Sequence, residues 1–220
     1  SARADLDWTY SNAHQYRFGV APVDGQVLGF HTDVQSRSLF SDKDLARALA
    51  YWYGYLGHAP QTWSLRAKLA VGTAFEQDAA DAFMLDNEPG LLGVRGYAEA
   101  SGLERSVIAA GLQFRTPLWW VERGIGTGPL FLQNINAALF ADFGLTSPNL
   151  QSEIYNLQSA MSRARLGVGA ELRADLIVAH LLPVSIHGGC GFGLNPLWSY
   201  QPYFGISSSV LSGILNSPVA

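Results

Sequence analysis

Side chains alternate along this chain with a period of two, in segments of about ten residues, and this constrains the fold more than any other feature. Between Ser64 and Phe75, Leu65, Ala67, Leu69, Val71 and Phe75 fall on one face, while Arg66, Lys68, Ala70 and Gly72 fall on the other. On a helix the two cations would scatter around the axis; on a strand they share a side. The split recurs. Leu28, Phe30, Thr32 and Val34 oppose His31, Asp33 and Gln35. Ile135, Ala137, Leu139, Ala141 and Phe143 oppose Asn134, Asn136 and Asp142, and Leu172, Ala174, Leu176 and Val178 oppose Glu171, Arg173 and Asp175. Charges of both signs therefore share one face, and small or apolar side chains the other.

Composition narrows what such two-faced strands can do. Hydrophobic residues make up 48% and charged ones 15%, against about 25% charged in ordinary soluble domains. A surface so poor in charge is hard to solvate, and an apolar surrounding becomes the alternative. No run reaches the roughly 18 to 20 uninterrupted apolar residues of a spanning helix. The net charge of −4 gives no basic footprint for nucleic acid. The single cysteine, Cys190, excludes an internal disulfide framework. The opening Ser-Ala-Arg-Ala-Asp lacks a basic-then-apolar signal, as expected of a mature or internal fragment.

The expected strands run approximately 4–11, 26–36, 43–57, 62–76, 103–117, 129–143, 165–180, 183–194 and 200–211. They form an up-and-down antiparallel meander with short connections such as 57–61 and long ones at 77–102 and 145–162. Alternation of short and long connections suits a membrane barrel with turns at one end and loops at the other. The segment 42–58 is rich in alanine, yet Leu45, Leu49, Tyr51, Tyr53 and Tyr55 share a strand face. These tyrosines, with Trp119, Trp120 and Trp198, suit interfacial aromatic girdles.

No catalytic constellation emerges, so no enzyme, cofactor or metal site is expected. His31, His58 and His180 lack ligand spacing, and His14 sits in a turn. His187 before Gly188-Gly189-Cys190 reads as a strand residue, not as a metal ligand or nucleophile. Gly124-Ile125-Gly126-Thr127-Gly128 lacks the lysine and helix of a phosphate loop and reads as a turn.

The long segment 77–102 is more informative. In it, Gly93 and Gly96 free the backbone to present Arg95, whose planar fork suits a carboxylate. Val94-Arg95-Gly96-Tyr97 resembles the lid-loop motif of the outer-membrane assembly-factor superfamily, also called the bacterial surface antigen barrel. In that family the loop folds back into a sixteen-strand barrel, and its arginine meets the aspartate of a Phe-x-Asp-x-Gly motif two strands later. Phe140-Ala141-Asp142-Phe143-Gly144 stands in that place. Gly111–Leu118 resembles the family strand after the lid, with Gln113 where a glutamate is common, and Gly167–Arg173 resembles the strand after the aspartate motif. The family usually closes on a terminal aromatic, whereas here Tyr203-Phe204-Gly205-Ile206 is followed by a tail to Ala220.

The resemblance covers almost the whole chain and maps it onto the family's C-terminal half: about nine strands of a transmembrane β-barrel. It implies a bacterial outer-membrane protein facing lipid. Such a protein is either a pore for polypeptide insertion or translocation or an anchor for an upstream domain, with other barrel subunits or periplasmic proteins as partners. Arg95 would pair with Asp142 on the inner wall, beside Phe140, Gly144 and Gln113, as a brace for the lid more than as a gate. The competing expectation is a soluble β-barrel that binds a small apolar ligand.

Overall fold

Successive strands pair with their sequence neighbours, so the period-two pattern becomes a continuous wall. The computed structural model describes residues 3–16, 19–37, 44–58, 63–75, 82–98, 101–124, 128–148, 161–179, 181–195 and 198–208. Eleven strands follow in chain order: β1 (Arg3–Ser11), β2 (Gln26–Gln35), β3 (Leu45–His58), β4 (Trp63–Phe75), β5 (Phe83–Leu85), β6 (Ser101–Glu104), β7 (Ser106–Gly124), β8 (Leu130–Ser147), β9 (Arg165–Val178), β10 (Leu182–Asn195) and β11 (Ser199–Ser208). Nine of them form one sheet in the order β1-β2-β3-β4-β7-β8-β9-β10-β11, while β5 and β6 pair apart. All wall pairings are antiparallel. Among the described residues β1 and β11 each have a single neighbour, so the sheet is open there.

The register carries the face split from strand to strand. Leu28, Trp52, Leu69, Ala110, Phe143 and Leu166 lie in one row across β2, β3, β4, β7, β8 and β9. Neighbouring positions on this face include Leu6, Trp8, Val71, Leu112, Leu139, Leu172, Phe204 and Ile206, all exposed. The opposite face carries the polar set, of which Asp33, Lys68, Gln113, Asn136, Asp142 and Glu171 are buried. Leu69 is 44% exposed and its neighbour Lys68 only 6%, so the charged residue is the more buried of the two.

Residues 82–98 lie against that polar face, here called the lid face. The apolar core sits between the two. Leu85, Val94 and Tyr97 of the lid pack with Ala70, Ala74, Val107 and Ala109 of the wall, and Leu49 and Tyr51 border the cluster. Small wall residues here leave the depth that a second layer requires.

Several expected boundaries shift. The strand expected at 103–117 divides into β6 and a β7 that runs on to Gly124, and the one at 129–143 runs to Ser147. Bulges between Pro117 and Trp119, between Trp120 and Arg123, and between Leu132 and Asn134 carry these strands past the point where alternation slips. Segment 77–102, expected to be loop throughout, contributes β5 and part of β6. Residues 43, 62, 76, 180 and 209–211 of the expected strands, and 125–127 of the glycine turn, lie outside the described residues. The girdle assignment for Tyr51, Tyr53 and Tyr55 is corrected. They share parity with Arg47, which bonds the lid's Ala82 carbonyl, so all three project onto the lid face.

Candidate functional site: the lid and its seat

The lid folds back on itself before it reaches the wall. Val94 N–H donates to Asp86 O at 2.9 Å and Asp86 N–H to Leu92 O at 3.2 Å. The Asp86 carboxylate accepts from Asn87 N–H at 2.7 Å and from Glu88 N–H at 3.3 Å, the second bond closing an Asx turn. This closed loop presents residues 94–97, which turn at Arg95 and Gly96, to the wall.

One row of the wall receives it. Tyr53, Lys68, Gly111, Asp142, Gly167, Gly193 and Ser199 follow one another across β3, β4, β7, β8, β9, β10 and β11. Of its three glycines, Gly167 lies where the lid backbone arrives, and Gly111 and Gly193 make room for the side chains of Lys68, Asp142 and Tyr97. A Cβ on Gly167 would strike Arg95 O, and one on Gly111 would stand 2.8 Å from Asp142 Oδ1. Gly96 has φ +105°, a conformation that side-chain-bearing residues rarely adopt. A Cβ there would come within 2.7 Å of Gly193 N. Ser199 Oγ donates to Gly96 O at 2.5 Å. Lid and wall backbones approach closely here, and side chains supply the hydrogen bonds between them.

Arg95 occupies the centre. Its Nε donates to Asp142 Oδ2 at 2.7 Å and its Nη2 to Asp142 Oδ1 at 3.2 Å, the two-pronged geometry suited to guanidinium and carboxylate. Both side chains are almost fully buried, at 3% and 1% exposure. Burial alone would lower the Arg95 pKa, but the hydrogen bond and charge of Asp142 outweigh it and raise the pKa above the usual arginine value. The guanidinium also lies over the Phe140 ring, 3.4 Å from its centroid. Arg95 Nη1 is 3.7 Å from Glu171 Oε2.

The wall motif and the lid motif therefore interlock residue by residue. Positions 140, 142 and 144 share a face because a strand alternates. Phe140 stacks under Arg95, Asp142 binds it, and Gly144 leaves space for Val94 and Leu85, whose side chains stand 2.6 and 2.7 Å from where a Cβ would be. Tyr97 completes the contact: its hydroxyl donates to Asn195 O at 2.5 Å and accepts from Leu166 N–H at 2.9 Å. Gln113, the fourth expected wall partner, is buried and lines the cavity beside Arg95.

Lys68 and Glu171, with Tyr203 and Arg115 behind the latter, were not anticipated. Lys68 Nζ donates to the Gly90 and Gly93 carbonyls, both at 2.8 Å, and stands 3.6 Å from Asp142 Oδ1. Two of its ammonium protons are thus hydrogen-bonded, and the Asp142 contact is one of charge. Glu171 supplies the second carboxylate near Arg95, held by Tyr203 Oη at 3.0 Å and by Arg115 at 3.5 Å. Alternation had placed Lys68 and Glu171 on the polar face; only the register shows that they converge.

A second segment reaches the lid face from the opposite end of the strands. Within 12–25, Val20 and Val23 are buried. Ser64 Oγ donates to Pro22 O at 2.5 Å, and Arg115 Nη1 to Val20 O at 3.4 Å.

Among the described residues no group of His, Cys, Asp and Glu has a metal-binding arrangement. No family model and no curated protein matches this chain.

Proposed function

We propose that this chain is the C-terminal wall of a bacterial outer-membrane β-barrel of the surface-antigen type, with an inward lid braced by Arg95 and Asp142. One observation carries the reading: rows of exposed Leu, Phe, Trp and Val back directly onto a face whose ionisable side chains are buried under the lid. Lipid accepts the first face, and a polar interior suits the second. Soluble proteins rarely leave so extended an apolar surface uncovered. The order of the motifs supports the same assignment, since Val94-Arg95-Gly96 meets Phe140, Asp142 and Gly144.

Within this reading the barrel serves polypeptide insertion or translocation, or anchors an upstream domain, and the lid occupies the lumen in either case. Free edges at β1 and β11 require further strands, because unpaired backbone groups in hydrocarbon cost several kcal/mol each. Those strands come from elsewhere in the protein or from another subunit.

Cell fractionation tests the proposal. The protein should sediment with outer membranes, resist extraction by buffer and alkaline carbonate, and enter solution in detergent. Recovery in buffer alone as a monodisperse species would instead support a soluble barrel.

A further inference from the structure

Beside the lid, the wall leaves a chamber of about 380 Å³ on the lid face, lined by Arg66, Arg95, Arg115, Arg173 and His187, with Glu88 and Glu171 as its acids. We propose that it binds an oxyanion group, the carboxylate or phosphate ester of a small ligand. The inference rests on the lid-face geometry alone and holds whether the opposite face meets lipid or not.

Two rows of the wall floor the chamber. Arg115, Ala138, Glu171 and Gly189 form one row, and Asn136, Arg173, His187 and Gly205 the next. Gly189 makes room for the Tyr203 ring and Gly205 for the imidazole of His187, so Arg115, Glu171, Arg173 and His187 border the space. Its volume lies in the range of pockets that enclose small organic molecules.

The distribution of partners singles out an anion. Asp142 occupies Nε and Nη2 of Arg95, yet the buried Nη1 has no hydrogen-bond acceptor, and Glu171 remains 3.7 Å away. His187 Nδ1 is likewise buried without a hydrogen-bond partner. Glu171 is already shared among Tyr203, Arg115 and Arg95. Arg173 is engaged by Asp175 at 2.8 Å and by Ser185 at 2.6 Å. Arg66 has only the Tyr53 ring, 5.8 Å from its guanidinium carbon, and among the described residues no carboxylate stands within ion-pair distance of it. A buried donor left unmet costs about 1–3 kcal/mol. An oxyanion beside Arg95 and Arg66 would satisfy donors that the protein leaves open, and His187 Nδ1 would add another in the tautomer that carries its proton. Planar guanidinium groups suit both carboxylate and phosphate oxygens.

The test uses the purified full chain, with inorganic phosphate and citrate as probes titrated calorimetrically at fixed ionic strength. At least one should bind saturably: phosphate alone indicates a phosphate ester, citrate alone a carboxylate ligand. Arg66→Gln should weaken binding about tenfold, through loss of a charge-assisted contact. Glu171→Gln should tighten it by removing the buried competing carboxylate, and Arg3→Gln on β1, outside the lining, should leave it unchanged. If neither probe binds the wild-type chain, or if Arg66→Gln matches Arg3→Gln, the chamber is not an anion site.

Discussion

Phe140 and Asp142 act on the same guanidinium from two directions. The ring lies under Arg95 at 3.4 Å, and the carboxylate two residues on meets its edge at 2.7 Å. Strand alternation brings both to one face, and the intervening Ala141 turns outward. A desolvated cation over an aromatic face contributes about 2 kcal/mol, and the ion pair adds direction. The lid arginine is fixed in orientation as well as in place.

Arg95→Ala should release the lid. It leaves Asp142 buried with Lys68 as its nearest cation, and breaking a buried pair costs about 3–5 kcal/mol. Proteolysis within 82–98 should accelerate and, in a planar bilayer, conductance should rise; if neither changes, the brace is not what holds the lid. Asp142→Lys should be worse than Asp142→Ala, because it sets a third cation beside Arg95 and Lys68.

Gly96→Ala and Gly90→Ala form a matched pair. At Gly96 the positive φ and the approach of Gly193 N both oppose a methyl group, for a cost of about 1–3 kcal/mol from backbone strain alone. Gly90 has nothing within 4 Å of its Cβ position. Thermal unfolding should fall for the first and hold for the second; equal melting points would contradict the seating described.

Leu139→Arg distinguishes lipid from water at the outer face. Leu139 is 61% exposed, so in water the change is nearly neutral, within about 0.5 kcal/mol. At a bilayer midplane it costs about 2–4 kcal/mol. Folding yield into lipid vesicles should therefore drop, and an unchanged yield would count against a lipid-facing wall.

Tyr97→Phe should destabilise by about 1–3 kcal/mol, since it strips the Leu166 N–H and Asn195 O of their shared hydroxyl within a buried contact. Urea titration followed by tryptophan fluorescence reads this. A midpoint equal to wild type would show that water replaces the hydroxyl.

Much of the wall was legible in the sequence because alternation is a local property. Leu69 and Lys68 face opposite ways in the structure as in the pattern, and the pairing of Arg95 with Asp142 was implied by the resemblance of two short motifs to a known family. Register was not legible. Lys68, Glu171 and Tyr203 reach the lid from β4, β9 and β11, and no spacing along the chain encodes which residues become neighbours across strands. The tyrosines of β3 show the opposite failure. Aromatic character suggested an outer belt, but parity with Arg47 decides their direction and turns them toward the lid. At Pro117 and Leu132 the bulges displaced the alternation by a residue, so β7 and β8 outran their expected ends.

The meander has a consequence for assembly. Most wall pairings join strands adjacent in sequence through short connections, while β4–β7 and β8–β9 bridge the long ones. The lid also ties together segments distant in sequence, with contacts from Gly96 to Ser199 and from Tyr97 to Asn195. Those contacts cannot exist until β10 and β11 are in place, so full capture of the lid marks completion of the last strands.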